Sequence, residues 1–169
     1  SSNTADILYR NNHNGTFTRI TLPGTSTGFG VKCADLNADG RVDIAVATSS
    51  SAPDLIYRND GNLAFTRVNA GTVNTASTAI DIADLNNDGK PDLVVSTASG
   101  MGSADLIYYN MGNMSFVLTQ LPGTTLADAV AVADIDGDGD LDIAVGTRAG
   151  GATTGYVYRN DGGTFPLAS

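Results

Sequence analysis

The chain has 169 residues and a mass of 17.3 kDa, with nine Lys plus Arg set against 18 acidic residues, every one of them Asp. The net charge of −9 and a pI near 4.2 exclude a protein that grips a phosphate backbone or an anionic membrane surface through basic patches. No apolar run approaches the roughly 20 residues that span a bilayer, so no membrane insertion is expected.

Twenty Gly, no Glu and only two Lys (Lys32, Lys90) argue against long helices and for short strands joined by tight turns. The single cysteine, Cys33, excludes an internal disulfide framework and a cysteine zinc cluster. Ser1 reads as a processed start from which any targeting peptide has gone.

Taken in chain order, the sequence repeats itself. Ile7-Leu8-Tyr9-Arg10-Asn11 and Phe17 predict a strand pair around an Asn/Gly turn, followed by the crossing segment Leu22-Pro23-Gly24-Thr25. Next come a strand ending in Cys33, the loop Ala34-Asp35-Leu36-Asn37-Ala38-Asp39-Gly40-Arg41-Val42-Asp43 and the strand Ile44–Ala47. Leu55-Ile56-Tyr57-Arg58-Asn59, a turn at Asn59–Asn62 and Phe65 complete that unit. The second unit repeats the order with Ala79–Ala83, a loop to Asp92, Leu93–Ser96, Leu106–Asn110 and Phe116. The third repeats it with Ala129–Ala133, a loop to Asp142, Ile143–Gly146, Tyr156–Asn160 and Phe165. The first Asp of successive loops is separated by 49 and then 50 residues.

Four antiparallel strands in about 40–50 residues is the period of a propeller blade, whereas β-helix coils repeat faster. The expected fold is all-β, a β-propeller array of four-stranded blades with no second domain. Its divisions are a half-blade at 5–24 and blades at 25–71, 72–122 and 123–169.

The chemistry lies in the pattern D-x-[N/D]-x-D-G-x-x-D. Oxygens at alternate positions of a tight loop converge on one point, and a hard cation such as Ca²⁺ takes six to eight of them. The predicted ligands of the first loop are Asp35, Asn37, Asp39 and Asp43 with the Arg41 carbonyl. Those of the second are Asp84, Asn86, Asp88 and Asp92 with the Lys90 carbonyl. In the third they are Asp134, Asp136, Asp138 and Asp142 with the Asp140 carbonyl. This gives three Ca²⁺ sites. Oxygen-only ligands disfavour zinc and copper. An EF-hand is excluded because it needs a bidentate Glu at position twelve, where Val46, Val95 and Val145 stand.

These loops, with Phe29-Gly30 ahead of the first, resemble FG-GAP (VCBS) repeats, the blade unit of the integrin α-subunit β-propeller and of many secreted proteins. The resemblance implies a propeller fold, Ca²⁺ between the first two strands of each blade, and a secreted or cell-surface module for extracellular binding, adhesion or assembly. A closed ring of about seven blades exceeds three units and a half. Unpaired sheet edges therefore predict a homo-oligomer, with a dimer favoured.

The expected protein is non-enzymatic, since no buried acid pair or nucleophile stands out. The alternative is a lectin holding glycans in clefts between blades, and the partner is a glycan or an extracellular protein. Millimolar calcium outside cells favours export. Cys33 is expected to be a small buried hydrophobe, the four tyrosines to pack, and Arg10, Arg58 and Arg159 to make inter-blade contacts. His13 is expected to be a turn residue. Lys32, Asp81, Asp128 and Arg148 break the repeat and are the residues a specific ligand would use.

Overall fold

The computed structural model describes residues 4–49, 52–98, 104–123, 126–147 and 155–168, and among them there is strand but no helix. Alternating β-branched and small residues bounded by Asx-Gly turns give fourteen short strands.

The first sheet is a hairpin of β1 (Ile7–Asn11) and β2 (Phe17–Thr21). The second joins β3 (Gly28–Ala34), β4 (Asp43–Thr48), β5 (Leu55–Gly61) and β6 (Ala64–Asn69) in chain order. The third does the same with β7 (Ser77–Ala83), β8 (Asp92–Thr97), β9 (Leu106–Asn110) and β10 (Phe116–Gln120). The fourth is built from β11 (Ala127–Ala133), β12 (Asp142–Thr147), β13 (Tyr156–Tyr158) and β14 (Leu167–Ala168). All pairs are antiparallel, and the register repeats: Ile44 faces Tyr57, Leu93 faces Tyr108 and Ile143 faces Tyr158.

The all-β expectation holds, but the β-propeller does not. Four open sheets of two or four strands lie side by side, and none is closed or curled as a propeller blade requires. Among the described residues, strand pairing stays within each sheet apart from two isolated bridges, Thr4 to Ser26 and Ala52 to Thr75. The likeness to integrin propeller blades is corrected with it. A repeat dictates a local strand pattern, whereas closure needs the last sheet to meet the first. Here the two end faces stay bare, with Val31 60% and Ile135 51% exposed.

Between neighbouring sheets the core forms three apolar layers. Leu8 and Leu22 pack on Ile44, Leu55 and Tyr57. Leu36, Ala45 and Ala47 meet Ile80, Leu93 and Tyr108, and Leu85 and Val94 meet Ile143 and Tyr158. The first strands run close together, with β7 packed on both β3 and β11. Gly30 permits this approach: a Cβ there would lie 2.9 Å from the Ala79 Cα.

Candidate functional site

Each Asp loop links the first two strands of a four-stranded sheet, and its fold is written in Asx turns. Asp35 accepts the N–H groups of Asp39 (3.1 Å) and Gly40 (2.7 Å), and Asp84 accepts those of Asp88 (3.0 Å) and Gly89 (2.7 Å). In the third loop Asp134 accepts Gly137 (2.7 Å) and Gly139 (3.2 Å). Gly40, Gly89 and Gly139 have φ of +81°, +82° and +97°, where a side chain is strained, so the Asp-Gly dipeptide is a backbone requirement of the loop.

Slight desolvation works against the ionised Asp35, but the N–H groups of Gly40, Asp39, Asn37 and Ala38 outweigh it and hold its carboxyl below the usual range.

The last acid of each loop has a different task. Asp43, Asp92 and Asp142 are buried, and both oxygens of each accept backbone amides. Asp43 takes Leu36 (3.0 Å) and Asn59 (2.8 Å), Asp92 takes Leu85 (3.0 Å) and Asn110 (2.8 Å), and Asp142 takes Ile135 and Asn160 (both 2.9 Å). Burial pushes the Asp43 and Asp92 carboxyls up against these amide bonds, and the neighbouring loop carboxylates add to the rise.

The loops diverge in the residue two places after the loop's middle Asp. Arg41 pairs with Asp39, and Lys90 pairs with Asp88 at 2.8 Å. The Lys90 ammonium bonded to Asp88 outweighs desolvation and holds that carboxyl down. The third loop has Asp140 there, which accepts Asn87 Nδ2 at 3.2 Å. With no cation of its own, this loop brings Asp134, Asp136 and Asp138 together, exposed, with ligand oxygens within 4.8 Å of one another. Among the described residues the other predicted ligands, including Asn37 and Asn86, form no such group of three acids.

Residues that sequence reasoning missed hold the sheets to one another. Asn110 Nδ2 donates to the Leu36 carbonyl of the preceding sheet (2.9 Å) and to Pro91 in its own loop (3.0 Å). Asn160 Nδ2 repeats this with Leu85 (3.1 Å) and Leu141 (3.2 Å). Tyr57 donates its hydroxyl to Asp6 (2.7 Å), and Tyr108 donates to Asp54 (3.1 Å), which also accepts Ser77 and Thr75. An Asp three residues before the Tyr of Ile7–Asn11, Leu55–Asn59 and Leu106–Asn110 was the available signal, at Asp6, Asp54 and Asp105.

Several expectations are corrected here. Cys33 is exposed, because no sheet covers its face of β3. Arg10, Arg58 and Arg159 bond within their own hairpins, to Asn12, Asp60 and Asp161. Tyr57, Tyr108 and Tyr158 are buried, but Tyr9 is 60% exposed. Lys32 and Asp81 form an ion pair of 3.0 Å between β3 and β7, and Asp81 also accepts the Val132 amide, so both hold first strands together. Asp128 is exposed, and Arg148 lies outside the described residues. His13 sits in its turn, donating its amide to Asn11. No catalytic grouping occurs among the described residues, and no described helix is long and apolar enough to cross a membrane.

The FG-GAP-like repeat model matches residues 1–46, 35–95 and 94–145. Among solved structures, the fold resembles a lectin of Agrocybe aegerita, described as showing specific recognition of non-reducing terminal N-acetylglucosamine. The TM-score is 0.60 and the identity 21%, over 98% of this chain and 47% of the lectin chain, so this chain spans about half of that one. No curated protein matches significantly.

These findings overturn the calcium-binding propeller as the functional reading. The sheets are open, and among the described residues a single loop gathers three acids. With matched segments running from residue 1 to residue 145, the chain belongs to the FG-GAP-like repeat family.

Proposed function

We propose that the chain is a non-enzymatic module that binds glycans. The likeness in fold to a lectin over 98% of the chain carries this reading. A polar concavity beside the β1–β2 turn supports it, lined by Arg10, Asn12, His13, Asn14 and Thr18. Arg10 and Thr18 both donate to Asn12 Oδ1, at 3.3 and 3.0 Å, which sets these planar groups in place before a ligand arrives. Sugar hydroxyls suit such a set, because each can donate to one group and accept from another. An extracellular setting goes with this reading, since exposed glycans are met there.

A glycan panel that includes N-acetylglucosamine-terminated saccharides tests it. Saturable binding that free sugar competes away is the expected result, with Arg10→Ala/Asn12→Ala weakening it. No binding to any saccharide, with calcium present or chelated, would remove the proposal.

A second reading concerns the third loop. Asp134, Asp136 and Asp138 offer hard carboxylate oxygens, a donor set that suits an alkaline-earth ion better than zinc. We infer that a divalent cation binds there and steadies the loop. One calcium ion in each of the three loops is the finer form of this proposal. Calorimetric titration with calcium separates a stoichiometry of one from three, and an absence of heat and of thermal stabilisation refutes both.

A further inference from the structure

The two ends of the chain carry the two halves of a joint that its interior makes repeatedly. At each interior joint between four-stranded sheets, a Leu after the first Asp is buried. Leu36 and Leu85 are each 1% exposed, and their carbonyls accept Asn110 and Asn160 of the next sheet. At the far end the matching residue is Ile135, 51% exposed, with Ala129, Ala131 and Ala133 exposed along β11 beside it. At the near end the matching Asn is Asn59. It is only half-buried, and among the described residues its Nδ2 donates to its own loop at Val42 (3.1 Å) but to no preceding sheet.

Between the β1–β2 hairpin and the strands β3 and β4 lies an apolar slot of about 310 Å³ lined by Ile7, Leu22, Phe29, Val31, Ile44 and Val46, among others. Phe29 and Val31 of β3 both line it and are 69% and 60% exposed. One wall is β1, which pairs with β2 alone, so its other edge is unpaired among the described strands.

We propose that the β11–β12 hairpin of a second copy of this chain enters this slot, with its β12 along the free edge of β1. The partner's Ile135 then fills the apolar floor and offers its carbonyl to Asn59. The hairpin β1–β2 then takes the place that β13–β14 holds within a single chain. The exchange is like for like. Tyr9 corresponds to Tyr158, Asn11 to Asn160 and Phe17 to Phe165, yet the first three are exposed and the latter three buried. Such a contact is head to tail, each copy giving one face and receiving another.

Light scattering of the full chain over a range of micromolar concentrations tests this. The mass is expected to rise from 17.3 kDa towards twice that value. Val31→Asp and Ile135→Asp, at side chains exposed in the single chain, are each expected to weaken association by about tenfold or more. An equimolar mixture of the two associates more strongly than either alone, because one slot and one hairpin remain intact in the mixed pair. Asn11→Ala, also at an exposed residue, weakens association in the same direction. A mass fixed at that of one chain overturns the proposal. So do variants that associate as the parent does, or a mixture that behaves no better than its components.

Discussion

The first two Asp loops and the third share one Asx-turn plan and differ in electrostatics. In all three the buried final acid is consumed by two amides, and the first acid caps the turn. Arg41 and Lys90 then neutralise the middle acid within their own loops, whereas Asp140 adds a fifth carboxylate to Asp134, Asp136, Asp138 and Asp142. Like charges this close repel unless a counter-charge enters. The comparison shows that a shared loop pattern does not fix a shared charge balance: two loops pair the middle acid with a cation of their own, and the third gathers five carboxylates.

Four experiments break or sharpen this contrast. Asp92→Ala should cost about 3 kcal/mol, since it strands the buried amides of Leu85 and Asn110, whereas Asp88→Ala in the same loop should cost far less. Chemical denaturation compares the pair, and equal effects would dissolve the division between framing and facing acids.

Next in size, calcium at a hundredfold excess over its dissociation constant should add about 2.7 kcal/mol per ion bound. Asp138→Asn should remove most of that gain in thermal melts, while Asp39→Asn removes little.

Asp140→Lys transplants the cation of the second loop. It should stabilise the metal-free chain by less than about 1 kcal/mol and weaken calcium binding in the same titration. Unchanged calcium affinity would show that the seventh position does not set the contrast.

The smallest effect concerns pH and serves as a control away from the loops. Burial pushes the Asp54 carboxyl above its ordinary value of 3.8, despite its bonds from Thr48, Ser77, Tyr108 and Thr75. The folded chain therefore keeps this proton where the unfolded chain has lost it. The resulting contribution is full below the unfolded value and is lost as pH rises through the folded one. Asp54→Asn should flatten this part of the profile, so the parent loses ground to the variant between acid and neutral pH.

Much of the local structure was legible. Alternation and Asx-Gly turns placed the strands, and the D-x-[N/D]-x-D-G spacing placed the loops. What could not be read was direction and coverage. Asp43 and Asp39 are the same residue type four places apart, but one lies under Asn59 and the other faces solvent. Cys33 sits on a strand whose counterparts Ile82 and Val132 are partly covered. It is exposed because the sheet ahead of it has only two strands. Asn110 and Asn160 close their Tyr-containing blocks in the sequence, and only packing brought each to a carbonyl 74 and 75 residues away in the chain.

The sequence by itself determined the repeating unit, its turns and the charge of each loop. These depend on contacts within a few residues, where steric and hydrogen-bonding rules leave little choice. The tertiary structure decided that the sheets stay open, that the final Asp of each loop faces inward and that the ends remain bare. Those outcomes depend on which surfaces meet across sheets, and a periodic sequence presents every unit with the same candidates.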